Sequence, residues 1–341
     1  MTGQGADPAP PASGGTDQST LLALVGAALL VVLAALGGLV AANAVAPPSP
    51  TATPAPLVTP KSTADLGDDD VFLQPLSAGC ATSDAVWVVS EGGGIGRFDG
   101  ERWSLVDRTL RSLSAATCVR DLMLAVGGAG RVVTANDTSR TVRVDTTQLE
   151  DLNAVSPLPD GVLAAGADGT VLRQVPAGWS PYAEGLTEDL YGVVAFSPSS
   201  AWVVGAGGVT YRLEDGGWRP VASGVTHTLR AVAGASVGEV VAAGDGGTIL
   251  RFDGAWRKVD TGSNGTFRAV ARAAGRTWVV GDAGAVYVVT ANGAERRPIG
   301  TSCTLRGVFS RGDEVWFVGS DAPFSGVWRL VGERVDHWGL C

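Results

Sequence analysis

One stretch, Val240 to Asp260, constrains the fold more than any other part of the chain, because variants of it recur from about residue 76 to the C-terminus. It reads VVAAGDGGTILRFDGAWRKVD. Val240 to Ala243, Thr248 to Phe252 and Ala255 to Val259 are short β-prone runs, and the Gly and Asp-Gly positions between them are typical of hairpin turns. Leu229 to Val232, just before this stretch, adds a fourth β-prone run. The unit therefore predicts a four-stranded antiparallel meander.

Seven copies of this unit follow one another at a nearly constant step. Aligned on Val241, the equivalent positions are Trp87, Leu124, Leu163, Trp202, Val241, Trp278 and Trp316, at steps of 37, 39, 39, 39, 37 and 38 residues. Four further residues keep the same phase on the last strand of the unit, namely Trp103, Trp179, Trp218 and Trp256. Four strands per repeat with a period near 40 and no helical periodicity are typical of a β-propeller. We therefore predict an all-β domain over residues 71–341, a β-propeller of seven four-stranded blades. A count of six or eight, or a blade shared between the termini, is left open.

The repeats resemble those of bacterial surface β-propellers with BNR-like, YVTN-like or WD-like repeats. The shared pattern is W-x-V-G-x-x-G-T-I-L-x-x-D-G-x-W, which Ala201 to Trp218 and Val240 to Trp256 match well. The resemblance covers about residues 76–341 and implies the fold but no function, since propellers host unrelated activities. The propellers of photosystem II assembly factors are more distantly similar, and that similarity implies protein binding rather than catalysis.

The N-terminal residues have a different composition. Residues 1–20 are rich in Pro, Gly and small polar residues, which predicts a disordered tail. Residues 21–42 carry no charge and are long enough for a hydrocarbon core of about 30 Å, which predicts a transmembrane helix. A signal peptide cleaved near Ala42-Asn43-Ala44 is the alternative. Residues 43–70 are predicted to be a Pro-rich linker. We expect a single-pass membrane protein with a periplasmic or extracellular propeller, although the nearest basic residue, Lys61, is too distant to set the orientation.

The four cysteines form two pairs with one repeat length between the members. Cys80 and Cys118 are 38 residues apart, and so are Cys303 and Cys341. We favour the disulfides Cys80–Cys118 and Cys303–Cys341 over Cys80–Cys341 with Cys118–Cys303; unpaired thiols and zinc are further alternatives. Because Cys341 falls where a further blade would begin, we expect its disulfide to tie the ring at its discontinuity. An even number of cysteines favours an oxidising compartment.

The residue types leave little room for catalysis. The chain has two histidines, His227 and His337, and it has no nucleophile elbow, zinc-protease motif or P-loop. The Asp-box of neuraminidase-type repeats is absent, since Asp215 follows Leu213 and precedes Trp218 at the wrong spacings. We predict no catalytic residue, no metal and no cofactor. A net charge of −9 argues against nucleic acid as a partner.

One repeated position is a candidate for ligand binding. Arg230, Arg268 and Arg306 recur at steps of 38 near the start of three consecutive inner strands, and Tyr191 and Asn153 hold that position in the two preceding repeats. Because inner strands begin at the mouth of the central channel, these five side chains predict a basic and aromatic patch there. Arg and Tyr are enriched in binding hot spots, and Arg recognises carboxylates. Salt bridges between blades are an equal alternative explanation of the arginines.

The patch favours a membrane-anchored binding or scaffold module for a protein or cell-envelope ligand. The alternatives are a glycan-active hydrolase or lyase of the cell envelope, and a purely structural surface protein. Repeat steps of 37 to 39 leave no room for the inserted loops that catalytic propellers usually carry, which favours binding.

Overall fold

The structure, a computed structural model, describes residues 58–60, 71–136, 141–143, 145–146 and 148–341. The predicted tail, the predicted transmembrane helix and most of the predicted linker lie outside these ranges. Within them, no helix has the length and apolar character that crossing a bilayer requires.

The described residues form seven antiparallel sheets of four consecutive strands, and one short strand joins the last sheet. In chain order the strands are β1 (Val58–Pro60); β2 (Leu76–Ala81), β3 (Val86–Ser90), β4 (Gly94–Phe98) and β5 (Trp103–Arg108) in blade 1; β6 (Leu113–Val119), β7 (Leu122–Gly127), β8 (Arg131–Asn136) and β9 (Thr141–Arg143) in blade 2; β10 (Leu152–Leu158), β11 (Gly161–Gly166), β12 (Val171–Val175) and β13 (Gly178–Pro181) in blade 3; β14 (Leu190–Ser197), β15 (Ser200–Gly205), β16 (Thr210–Glu214) and β17 (Gly217–Pro220) in blade 4; β18 (Leu229–Ser236), β19 (Glu239–Gly244), β20 (Ile249–Phe252) and β21 (Trp256–Lys258) in blade 5; β22 (Phe267–Ala273), β23 (Arg276–Gly281), β24 (Val286–Thr290) and β25 (Gly293–Arg296) in blade 6; and β26 (Leu305–Arg311), β27 (Glu314–Asp321), β28 (Phe324–Val331) and β29 (Arg334–Gly339) in blade 7. Short 3₁₀ turns follow three of the second strands, at Gly128–Gly130, Ala206–Gly208 and Asp282–Gly284.

The core lies between the blades. Among the described residues there is one cluster of buried apolar side chains at each of the seven blade interfaces. The second strand of a blade contacts a neighbour on both faces, so its residues form a continuous apolar run; all five residues of β3, VWVVS, are buried. The predicted all-β, seven-bladed fold with four strands per blade is confirmed.

The repeat alignment also locates the strands within each blade. Trp202 and Trp278 lie on second strands and are buried, and Trp218 and Trp256 lie on outer strands. In the unit that defined the repeat, β20 begins at Ile249, one residue later than predicted.

The ring closes where blade 7 packs against blade 1. Phe98 of blade 1 lies 5.2 Å, between ring centroids, from Trp338 of blade 7, and 5.9 Å from Trp316. Strand β1 pairs in parallel with β29, with Val58 opposite Val335. A segment within the predicted linker therefore forms a fifth, outermost strand on blade 7.

Both favoured disulfides are present, but their positions differ from the expected closure. Cys80–Cys118 joins the inner strands β2 and β6, and so links blades 1 and 2. Cys303–Cys341 joins the residues just before β26 to those just after β29, beside the apolar cluster between blades 6 and 7. The expectation that Cys341 ties the ring at its discontinuity was wrong, because Cys303 and Cys341 both flank blade 7 and neither belongs to blade 1. Among the described residues, apolar side chains form the contact between blades 7 and 1.

The glycine turn of the repeat has a packing role beyond its backbone conformation. Gly247 has a φ of +66°, and a Cβ there would lie 1.8 Å from the carbonyl oxygen of Ser263, in the connection to the next blade. Gly284 has the same problem with the carbonyl of Thr301, at 1.9 Å. The last residue of this turn must therefore lack a side chain so that the turn can contact the next connection.

We predict that Gly247→Ala destabilises the propeller by about 3 kcal/mol or more, because the turn and the next connection have to move apart. Gly254→Ala is the matched control, since its φ is +105° and a Cβ there meets nothing within 4 Å. That variant should lose only the strain of about 1–2 kcal/mol that an alanine has at positive φ. Urea unfolding measures the free energy of unfolding of both variants. Equal decreases would show that the contact of Gly247 with Ser263 does not contribute to stability.

Candidate functional site

A β-bulge near the start of each inner strand aims one side chain per blade at the channel. In blade 5, Leu229 pairs with Gly244 and Ala231 with Ala243, which leaves Arg230 as an extra residue. A register shift occurs at the same place in all seven blades. The bulged residues are Ser77, Ser114, Asn153, Tyr191, Arg230, Arg268 and Arg306. Because a bulge re-aims a side chain, the ring of seven bulges builds the mouth.

The seven bulged residues line one cavity of about 200 Å³, together with Glu91 from the β3–β4 turn. The structure thus places all five predicted residues, Asn153, Tyr191, Arg230, Arg268 and Arg306, around one opening. Sequence reasoning missed Ser77, Ser114 and Glu91. The two serines could have been found from the repeat spacing, because Ser114 lies 37 residues after Ser77 and 39 residues before Asn153. Serine, however, carries no binding signal of its own.

Two of the mouth arginines are held by carboxylates of their own blades. Arg230 donates from Nε to Oδ1 of Asp245 at 2.5 Å and from Nη2 to Oδ2 at 3.0 Å. Arg268 donates from Nε to Oδ1 of Asp282 at 2.6 Å. The bonds from Arg230 hold the pKa of Asp245 below its ordinary value, so this acid stays ionised and fixes the guanidinium. Both arginines remain partly exposed.

The third arginine joins the two ends of the ring. Blade 7 has Ser320 where blades 5 and 6 have aspartate, and Arg306 donates from Nε to its Oγ at 2.8 Å. Nη1 of Arg306 donates to Glu91 of blade 1 at 2.9 Å. Salt bridging between blades therefore accounts for Arg306, whereas Arg230 and Arg268 pair within their blades.

The arginines keep donors that point to no protein acceptor. Among the described residues, none accepts a hydrogen bond from either terminal nitrogen of Arg268, from Nη2 of Arg306 or from Nη1 of Arg230. Their Nε atoms are fixed, and within the described part of the chain these terminal nitrogens have no acceptor. Such a set is oriented for an anionic or carbonyl oxygen from outside.

Asn153 and Tyr191 each contact the blade that follows their own. Asn153 donates to the carbonyl of Leu190 in the next blade at 3.0 Å. Tyr191 has the Arg230 guanidinium 5.8 Å from its ring centre, and burial raises the pKa of its hydroxyl, which keeps it a donor at neutral pH. The mouth therefore has an arginine-rich and aromatic half, in blades 4 to 7, and an uncharged half formed by Ser77, Ser114 and Asn153. In the first half Asp245, Asp282 and Glu91 balance the charges of the three arginines.

Other candidate groups lie elsewhere. His227 is exposed, and His337 stacks on Trp328 at 5.0 Å; neither lines the mouth. Sulfur atoms of Cys303 and Cys341 lie near the Asp321 carboxylate, but they form a disulfide and so are not thiolate ligands. The arginines of the third strands have partners of their own, as in Arg173–Asp160 at 2.7 Å.

Comparison with known proteins supports the fold. No protein-family model matches the sequence, and no curated protein matches it. Among solved structures, the chain is similar to virginiamycin B lyase from Staphylococcus aureus, with a TM-score of 0.64 and 15% identity over 74% of this chain and 93% of the lyase. It is similar to the WD40 propeller domain of Doa1 (TM-score 0.64, 13% identity, 75% and 93% coverage). It is also similar to YCF48 bound to D1 peptide (TM-score 0.61, 14% identity, 76% and 92% coverage). At these identities the likeness concerns the fold alone.

Proposed function

We propose that this chain is a membrane-anchored, extracytoplasmic β-propeller, of the bacterial type with BNR-like, YVTN-like or WD-like repeats, that binds a protein or cell-envelope ligand at its channel mouth. The observation that carries the proposal is the sector formed by Tyr191, Arg230, Arg268 and Arg306. Four consecutive blades present these side chains on bulges toward one cavity.

The sector has the features of a prepared binding surface. β-Strands hold the backbone, and Asp245, Asp282 and Ser320 each bind one Nε atom. The arginines that line the cavity keep terminal nitrogens with no acceptor among the described residues. Binding to donors that are already fixed costs less conformational entropy than binding that must first order them. An oxygen-rich group, such as a carboxylate, is the natural partner of such donors.

An enzymatic role has less support from the site. The cavity lining offers the hydroxyl groups of Ser77, Ser114 and Tyr191, but the described residues that line it include no histidine and no cysteine. Similarity to a lyase and to a propeller bound to a peptide is similarity of fold, and either activity is open to this fold. Among the two, binding of a peptide needs no group beyond those that the mouth already presents.

The extracytoplasmic location rests on the two disulfides, which persist in oxidising compartments, and on the apolar and Pro-rich N-terminal residues. We expect a membrane-impermeant maleimide to label the cysteines of intact cells after mild reduction. Labelling that requires cell lysis would place the propeller inside.

We expect the triple variant Arg230→Gln, Arg268→Gln, Arg306→Gln to lose its partners in a pull-down from envelope extracts, by about tenfold or more in recovered amount, because several hot-spot contacts are removed together. The matched control is Arg219→Gln, Arg257→Gln, Arg276→Gln, which removes the same charge from exposed positions outside the mouth. Thermal unfolding checks that both variants fold. Retention of every partner by the mouth variant would refute the proposal.

A further inference from the structure

Three exposed large apolar residues lie on chain segments that meet at the junction of blades 7 and 1. Leu73, Phe324 and Leu340 have exposed fractions of 50%, 44% and 51%. They converge on one buried residue, Ser325. Its backbone N–H donates to the carbonyl of Phe72 at 3.2 Å, its Oγ donates to that of Gln74 at 2.6 Å, and its own carbonyl accepts from the N–H of Leu340 at 3.0 Å.

We call Leu73, Phe324 and Leu340 the seam patch. Isolated exposed apolar residues are ordinary, whereas several at one place are a feature of interaction surfaces. The hydrogen bonds of Ser325 bring the backbones of these three residues to one place. Two contacts hold the chain next to the patch. Leu340 precedes Cys341 of the disulfide, and Asp321, at the turn that leads to Phe324, accepts a hydrogen bond from the N–H of Thr304 at 3.3 Å.

The seam patch is continuous with the mouth. Ser320, which accepts a hydrogen bond from Arg306, lies directly opposite Ser325 in the β27–β28 pair. From Arg306 on β26 to Leu340 at the end of β29 the path crosses neighbouring strands on one face of the propeller. Strands are spaced about 4.8 Å apart, so the path from guanidinium to patch is roughly 10–15 Å, the span of three to four residues of extended chain.

The charge along this path selects the ligand. At its inner end Arg306 and Arg268 present guanidinium nitrogens that have no acceptor among the described residues. At its outer end the seam patch has only apolar side chains. A ligand that satisfies both ends carries a carboxylate and, three to four residues away, a large apolar side chain.

We propose that the ligand of the mouth is an extended polypeptide segment that places a carboxylate on Arg268 and Arg306 and a leucine-like or phenylalanine-like side chain on the seam patch. This inference rests on the proposed function of the mouth and adds the class of ligand and the direction in which it lies, radially across blade 7.

Fluorescein-labelled peptides test the inference directly. Each probe carries one phenylalanine and one glutamate with zero to six glycine or serine residues between them, and fluorescence polarisation measures its binding to the full chain. We expect the tightest binding with two or three intervening residues, at least about fivefold tighter than with none or six, since only that spacing engages both ends.

Variants separate the two ends of the path. Phe324→Ser with Leu340→Ser should weaken the best probe about fivefold or more and abolish the spacing preference. Leu149→Ser is the control, because Leu149 is 77% exposed and lies in the connection between blades 2 and 3, which do not border blade 7. Arg268→Gln should weaken all glutamate probes, and it leaves the contact of Arg306 with Glu91 intact.

Each other outcome is decisive. If Arg268→Gln weakens binding and the patch variant does not, the mouth binds but the seam patch is no part of the site, and this inference fails while the proposed function stands. If the patch variant weakens binding and Arg268→Gln does not, the proposed function fails as well. If no probe binds the native chain with a Kd below about 1 mM, the peptide inference is overturned, and the pull-down judges the function separately.

Discussion

The burial of apolar side chains between neighbouring blades is the interaction on which the whole structure depends. A single four-stranded sheet of this sequence has two apolar faces and cannot cover either by itself. Each described blade interface therefore holds its own buried cluster, and the fully buried tryptophans, such as Trp87, Trp202 and Trp316, lie in these clusters. A closed ring is the arrangement that leaves no end blade with an uncovered face. The ring closes because each sheet has an apolar surface on both faces.

The candidate site follows from the same constraint. Each inner strand starts with a buried Leu or Phe, which anchors it between two blades, and the next residue bulges out of the ladder toward the channel. The anchor position is set by packing and is Leu or Phe in every blade. Serine, asparagine, tyrosine and arginine occupy the bulged position, so the residue type there is not fixed by the core.

The sequence was informative wherever structure is local. Hairpin turns, alternating burial and a fixed period depend on neighbouring residues, and they sufficed to predict the blades and the equivalence of Arg230, Arg268 and Arg306. Cysteines one period apart predicted both disulfides, because equivalent points of adjacent blades lie close together. The bulges were missed, since an extra residue in a strand leaves no mark in the spacing when every blade contains it.

Contacts between distant parts of the chain were not predictable in this way. Glu91 meets Arg306 because the ends of the ring meet, and blade 7 lacks the aspartate that would otherwise hold the arginine. The pairing of Val58–Pro60 with β29 and the seam patch also arise at this junction. Nothing repeats there, so the repeat pattern that predicted the other blades carries no information about it.

A double-mutant cycle between Phe98 of blade 1 and Trp338 of blade 7 tests ring closure most directly, because these rings lie 5.2 Å apart although 240 positions separate them in the sequence. Phe98→Leu and Trp338→Phe are made singly and together, and chemical unfolding gives the free energy of each. A closed ring predicts a coupling of about 0.5–1.5 kcal/mol between the two residues. Strictly additive losses would mean that blades 7 and 1 do not meet, and would contradict both the closed propeller and the site built on its mouth.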